Sequence, residues 1–119
     1  MSPRGDDPAQ KSAFDVDEHV RLFNAAVESG VWTSFVEQFA EDAVLEFVGP
    51  PVGPFTGRAV IYEAYVRNPP DDKIELDGPV GIELDELVVP YKWVTTRATG
   101  TMRLTERAGR IVRLVVTFN

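Results

Sequence analysis

Most of the strand-like hydrophobic pattern in this chain follows three helical segments, and that order limits the folds it can adopt. Apolar residues recur at helical spacing in three segments before residue 68, whereas the rest is rich in β-branched and aromatic residues. Helices that do not alternate with strands pack on one side of an antiparallel sheet. The order predicts an α+β fold in which a curved antiparallel sheet wraps around three N-terminal helices, forming a cone with an apolar pocket.

The apolar spacing predicts three helices, over Phe14–Glu28, Val31–Phe39 and Arg58–Arg67. Asp15 and Glu18 have the spacing of a capping box at the start of the first helix. Thr56 is the predicted N-cap of the third helix. Ala40-Glu41-Asp42 is the predicted exit from the second.

Strand-like alternation predicts five strands, over Ala43–Val48, Lys73–Asp77, Leu87–Thr96, Thr99–Thr105 and Arg110–Phe118. A hairpin turn is predicted at Glu106–Gly109. The connection after the first strand is unusual, because Leu45–Gly57 holds three glycines, three prolines and a single charge, on Glu46. Such a stiff, apolar connection raises the question of whether it lines a site.

Composition narrows the class of protein. The 119 residues suit one domain, predicted over 13–119, and the polar residues 1–12 have the composition of a disordered leader. The formal net charge is −7 and no basic stripe is visible, so we expect no nucleic-acid partner. No apolar run is long enough to span a bilayer, so we expect no membrane role.

Cysteine is missing from the chain, which excludes disulfides and thiol catalysis and makes a cytoplasmic location the default. One histidine cannot form a multi-histidine metal site, and no calcium-loop spacing of acidic residues occurs. We therefore expect neither a metal nor a cofactor.

Three short motifs occur in the order typical of one superfamily. They are Phe39–Glu46 (FAEDAVLE), Pro54–Gly57 (PFTG) followed by Ile61 and Tyr65, and Gly109–Val112 (GRIV). Together they resemble the nuclear-transport-factor-2-like and SnoaL-like superfamily, which includes ketosteroid isomerases and polyketide cyclases. The resemblance covers about residues 14 to 118 and implies a cone-shaped fold whose sheets often pack back to back in dimers.

The catalytic positions of the ketosteroid isomerases can be tested on this sequence. Their reaction needs a carboxylate base and two donors that stabilise the enolate oxygen. Ungapped comparison implies Phe47 at the position of the base, Phe23 at that of the tyrosine donor, and Gly100 near that of the acidic donor. Of the positions compared, only the supporting tyrosine on the third helix of those enzymes is retained, as Tyr65. A phenylalanine cannot accept the proton, so the standard mechanism is not expected here.

Four residues remain as candidates for a displaced acid–base group. A one-residue shift would place Glu46 at the base position, although the sequence favours an outward-facing strand residue. Asp42 is more typical of a turn after the second helix. His19 could reach a pocket rim and carry a proton, but a satisfied surface or edge histidine is favoured. Tyr65 could be the polar group of the pocket or pack in the core.

Strand alternation divides the sheet residues between two faces. The predicted pocket residues share the inner face or the helices that cover it: Phe23, Phe47, Tyr65, Tyr91, Trp93, Gly100, Met102, Leu114, Val116 and Phe118. The outer face carries Thr99, Thr101, Arg103, Arg113, Val115 and Thr117 and is the predicted homodimer surface, although a solvated face is an alternative.

Such an aromatic pocket predicts a small hydrophobic, ring-bearing ligand such as a steroid, terpenoid or polyketide-like molecule. The sequence leaves three functions open. The chain could be a binding protein, an isomerase or cyclase with a displaced acid–base group, or a non-catalytic dimeric interaction module.

Overall fold

The protein was analysed as a computed structural model, which describes residues 14–119. The predicted leader lies outside the described residues. The helices are α1 (Val16–Ser29), α2 (Thr33–Val36) and α3 (Arg58–Arg67). The strands are β1 (Phe39–Val48), β2 (Phe55–Thr56), β3 (Ile74–Leu76), β4 (Gly81–Glu83), β5 (Glu86–Trp93), β6 (Thr99–Arg107) and β7 (Arg110–Phe118). None of the helices in this part of the chain has the length and apolar character needed to cross a bilayer.

One curved sheet holds all the strands, in the order β2-β1-β7-β6-β5-β3, with β4 also paired to β5. The helices cover its inner face, which confirms the predicted α+β cone. The sheet is mixed rather than wholly antiparallel, because β1 pairs with β7 in parallel. These two strands are separated by most of the chain, so no tight hairpin fixes their relative direction.

The second helix is shorter than predicted, and β1 begins earlier. Gln38 already accepts a backbone hydrogen bond from Ile111 at 2.8 Å, and Phe39 pairs with the same residue of β7. The ladder between β1 and β7 shifts register between Phe39 and Val44, and the residues between these two belong to the strand. Asp42 therefore lies in β1, and its predicted place in a turn is wrong.

The third helix has the predicted bounds but a different cap. Thr56 is part of β2 and pairs with Val44, so the backbone is still extended at this residue. Gly57 is the N-cap, with a φ of 97° that favours glycine. Its N–H donates to the carbonyl of Ala43 at 2.7 Å, and its own carbonyl accepts from Ile61 at 3.0 Å. The prediction that Thr56 caps α3 is wrong.

The start of α1 is capped, and a separate contact holds the helix against the sheet. The Asp15 carboxylate accepts from the N–H of Glu18, as the capping pattern predicts. The side-chain amide of Asn24 forms hydrogen bonds with both backbone groups of Ile74, each at 2.9 Å. It therefore pairs with the backbone of β3 as a neighbouring strand would. The contact between Asn24 and Ile74 therefore fixes the helix across the open side of the sheet.

An aromatic cluster fills the space between the helices. Trp32 stacks on Tyr65 with ring centroids 4.7 Å apart, and Phe35 meets both rings edge-on. Phe23 joins them from α1. Aromatic pairs of this kind add to the free energy gained by burying their area. The cluster therefore connects α1 to α3 through contacts between aromatic rings.

Candidate functional site

A cavity of about 460 Å³ lies between the helices and the inner face of the sheet. Its most deeply buried lining residues are His19, Phe35, Leu45, Tyr91 and Leu114, each no more than 2% exposed. Its outer lining is more open, with Val52 at 51% and Phe118 at 41% exposed. This gradient shows a site closed at its inner end and open at a mouth formed by apolar residues.

The structure places nine of the ten predicted pocket residues around this one cavity. These are Phe23, Phe47, Tyr65, Tyr91, Trp93, Met102, Leu114, Val116 and Phe118. The strand members share a face because β5, β6 and β7 are paired in the register that keeps alternate residues aligned. A role of these residues in binding a ligand stays a prediction.

Gly100 is the predicted pocket residue that does not border the cavity. It pairs with Tyr91 across β5 and β6. A Cβ atom at Gly100 would lie 2.4 Å from both the Cζ and the hydroxyl oxygen of Tyr91. The tyrosine ring therefore lies across the glycine and separates it from the cavity.

Phe47, and not Glu46, faces the cavity. The Phe47 ring packs near Phe55 and Phe118, with centroids 6.3 Å away in each case. Glu46 points to the opposite face of β1, where its carboxylate accepts a hydrogen bond from Arg113. The position that would correspond to the isomerase base is thus occupied by an apolar ring inside the cavity.

Asp42 is also outside the cavity. Its side chain is 72% exposed and forms an ion pair with Arg107 at 3.3 Å. Among residues 14–119, no aspartate or glutamate borders the cavity. Of the four candidate acid–base residues, only His19 and Tyr65 therefore lie at the site.

His19 is buried, at 1% exposure, so the predicted surface or edge position is wrong. Its ring lies between Phe14 and Phe35, with centroids 5.6 and 5.2 Å away. Its Nδ1 atom is 2.9 Å from Oε1 of Gln38. Burial lowers the pKa of His19 to about 4, and the hydrogen bond with Gln38 offsets only part of this effect. The imidazole is therefore neutral at pH 7.

The two cavity tyrosines are held in the phenol form. Burial raises the pKa of Tyr65 well above its ordinary value, and the nearby Tyr91 contributes to the increase. Burial also raises the pKa of Tyr91 to about 12. The Trp93 side chain partly offsets that increase, but within residues 14–119 the Tyr91 hydroxyl has no partner with hydrogen-bond geometry. Neither tyrosine can accept a proton as a phenolate near neutral pH.

The Pro/Gly connection does line the site. Leu45, Phe47, Pro50, Val52 and Phe55, all from this stretch, border the cavity. Sequence reasoning did not identify Gln38, which sets the hydrogen bonding of His19. Its position at the end of a short helix gives no signal, since the partner lies 19 residues away on another element.

The geometry defines a class of protein: an α+β cone around an apolar, aromatic cavity that no carboxylate of residues 14–119 borders. Structural comparison identifies the fold. The chain is similar to a proposed isomerase from Bacillus subtilis (TM-score 0.58, 26% identity, covering 87% of this chain and 85% of that one). It is also similar to a proposed ketosteroid isomerase from Kribbella flavida (TM-score 0.66, 18% identity, covering 86% and 76%).

A nuclear-transport-factor-2-like protein of unknown function from Burkholderia xenovorans gives a TM-score of 0.65 at 14% identity, covering 87% of this chain and 82% of that one. No family model matches the sequence, and neither does any curated protein. The chain has the nuclear-transport-factor-2-like fold, which confirms the resemblance found in its motifs.

Proposed function

We propose that this protein binds a small hydrophobic, ring-bearing molecule in the cavity. The observation that carries the proposal is a cavity of about 460 Å³ that is bordered mainly by aromatic and aliphatic side chains. His19 and Asn68 are among its polar residues, and no carboxylate of the described chain borders it. Apolar pockets of this size with few polar groups are typical of small-molecule sites. Flat rings also suit the walls, because Phe23, Tyr91 and Trp93 present faces and edges against which another ring can pack.

A neutral naphthalene dye such as prodan tests this proposal. We expect binding at tens of micromolar or tighter, as is usual for an apolar ligand of this size, with a blue shift in its emission. Val116→Trp should abolish the signal, because Val116 borders the cavity and the indole would fill it. Val60→Trp is the matched control, since Val60 is exposed on α3 and does not border the cavity.

Two outcomes would contradict the proposal. One is equal dye binding by the wild-type protein and Val116→Trp, which would place the dye elsewhere. The other concerns ligand shape and uses displacement of the dye by 2-naphthol and by decanol, which have the same number of carbon atoms. Tighter binding of the linear alcohol would contradict a ring-bearing ligand.

An isomerase or cyclase remains the second candidate, and the observation in its favour is that His19 and Tyr65 border the same cavity. Such an enzyme would have to move its proton through the His19 imidazole, since Glu46 and Asp42 are paired outside. Deuterium exchange next to the carbonyl of a bound cyclic ketone, 2-tetralone, separates the two functions. Exchange faster than in buffer and lost in His19→Phe would favour the enzyme, and buffer-like exchange would favour the binding protein.

A homodimer through the outer face of β6 and β7 is a further part of the proposal. Val115 and Thr117 are half-buried there in the isolated chain, beside the exposed Arg113. We expect a dimer mass in sedimentation and a monomer mass for Val115→Glu. A monomeric wild-type protein would contradict this assembly. The cytoplasmic location stays a prediction, testable by cell fractionation.

A further inference from the structure

His19 is a polar residue in the inner part of the cavity, and its neighbours determine which of its ring nitrogens carries the proton. Gln38 donates through Nε2 to the carbonyl of Phe35 at 2.8 Å. An amide turned the other way would place its oxygen against that carbonyl, so the Gln38 oxygen must face His19. That oxygen accepts from Nδ1 of His19 at 2.9 Å. The chain of contacts therefore assigns the proton of the imidazole to Nδ1.

This assignment leaves Nε2 of His19 as a lone-pair acceptor. Within residues 14–119 the structure gives Nε2 no hydrogen-bond donor. The ring borders the cavity and is almost fully buried. An acceptor that has no protein donor in an apolar cavity can take one from a ligand, and this hydrogen bond strengthens binding of the ligand.

We propose that the ligand of this cavity carries a hydroxyl or N–H group that donates a hydrogen bond to Nε2 of His19. The inference rests on the proposed function and narrows its ligand class to ring molecules with a donor at their inner end. His19 becomes the residue that determines specificity, and Gln38 becomes a positioning residue that acts through it. The low pKa of His19 supports this assignment, because an imidazolium would present a donor instead.

The first test compares 2-naphthol with 2-methoxynaphthalene, which has the same ring and oxygen but no donor. The quantity compared is the dissociation constant of 2-methoxynaphthalene divided by that of 2-naphthol. We expect this ratio to be about tenfold larger in the wild-type protein than in His19→Phe, which is the change expected for one hydrogen bond. Gln38→Leu should lower the same ratio, and 2-methylnaphthalene, which has no hydrogen-bonding group, measures any change in the cavity itself. Equal ratios in the wild-type protein and His19→Phe would overturn the inference.

The second test needs no variant, because the chain has a single histidine. Nitrogen-15 spectra of tag-free protein should show a protonated Nδ1 and an unprotonated Nε2 at pH 7. Added 2-naphthol should shift the Nε2 signal, and 2-methoxynaphthalene should not. A protonated Nε2, or an unmoved signal with 2-naphthol bound, would overturn the inference and leave the proposed function intact. Failure of all three naphthalene probes to bind would contradict both.

Discussion

Gly100→Ala is expected to destabilise the protein by about 3 kcal/mol, the upper part of the range for overpacking a closed site. The new Cβ would lie 2.4 Å from the Tyr91 ring and 2.5 Å from the carbonyl oxygen of Thr117. The tyrosine could move only into the cavity, and the Thr117 carbonyl belongs to the backbone of β7. Urea unfolding monitored by tryptophan fluorescence measures the loss.

Gly81→Ala is the matched control for this substitution. Gly81 also lies in a strand, but a Cβ atom there would have no neighbour within 4 Å. We expect this variant to stay within about 1 kcal/mol of the wild-type protein. Gly100→Ala and Gly81→Ala variants of equal stability would show that Tyr91 does not lie across Gly100.

The stability of the protein is expected to fall by about 3 kcal/mol more between pH 7 and pH 4 than that of His19→Phe. Burial lowers the pKa of His19 from 6.5 to about 4, so the unfolded chain binds a proton in a pH range where the folded chain does not. The part of the free energy of unfolding that depends on a neutral His19 is fully present above pH 6.5. It is lost as the pH falls towards 4, at about 1.4 kcal/mol per pH unit.

The comparison with His19→Phe isolates this effect, because the surface carboxylates are the same in both proteins. Free energies of unfolding from urea titrations at several pH values would give the two profiles. Parallel profiles between pH 7 and pH 4 would mean that His19 titrates at its ordinary pKa and is accessible to water in the folded protein.

The inner face of the sheet could be predicted because strand alternation leaves few choices. On β6 and β7, Met102, Leu114 and Val116 alternate with polar or mixed residues, and one register buries all three. The same alternation separates Phe47 from Glu46. The cap of α3 was not predictable in this way, since Thr56 has an N-cap side chain but its backbone belongs to β2.

The polar part of the site depends on contacts between elements, which periodicity does not encode. His19 lies on the apolar stripe of α1, but its burial requires Phe14, Phe35 and Gln38 to close around it. Gly100 has the correct parity for the inner face, and only the position of the Tyr91 ring removes it from the cavity. Apolar residues at Trp32, Phe35 and Phe39 fit a helix as well as a turn entering a strand, so the start of β1 was ambiguous.

On the proposed function, the cavity between the helices and the sheet receives an apolar ring. Intermolecular nuclear Overhauser effects between 2-naphthol and the protein methyl groups test it most directly. We expect contacts from the probe ring to Leu45, Leu114 and Val116, which border the cavity. Contacts confined to outer-face methyl groups, such as those of Val115, would contradict it.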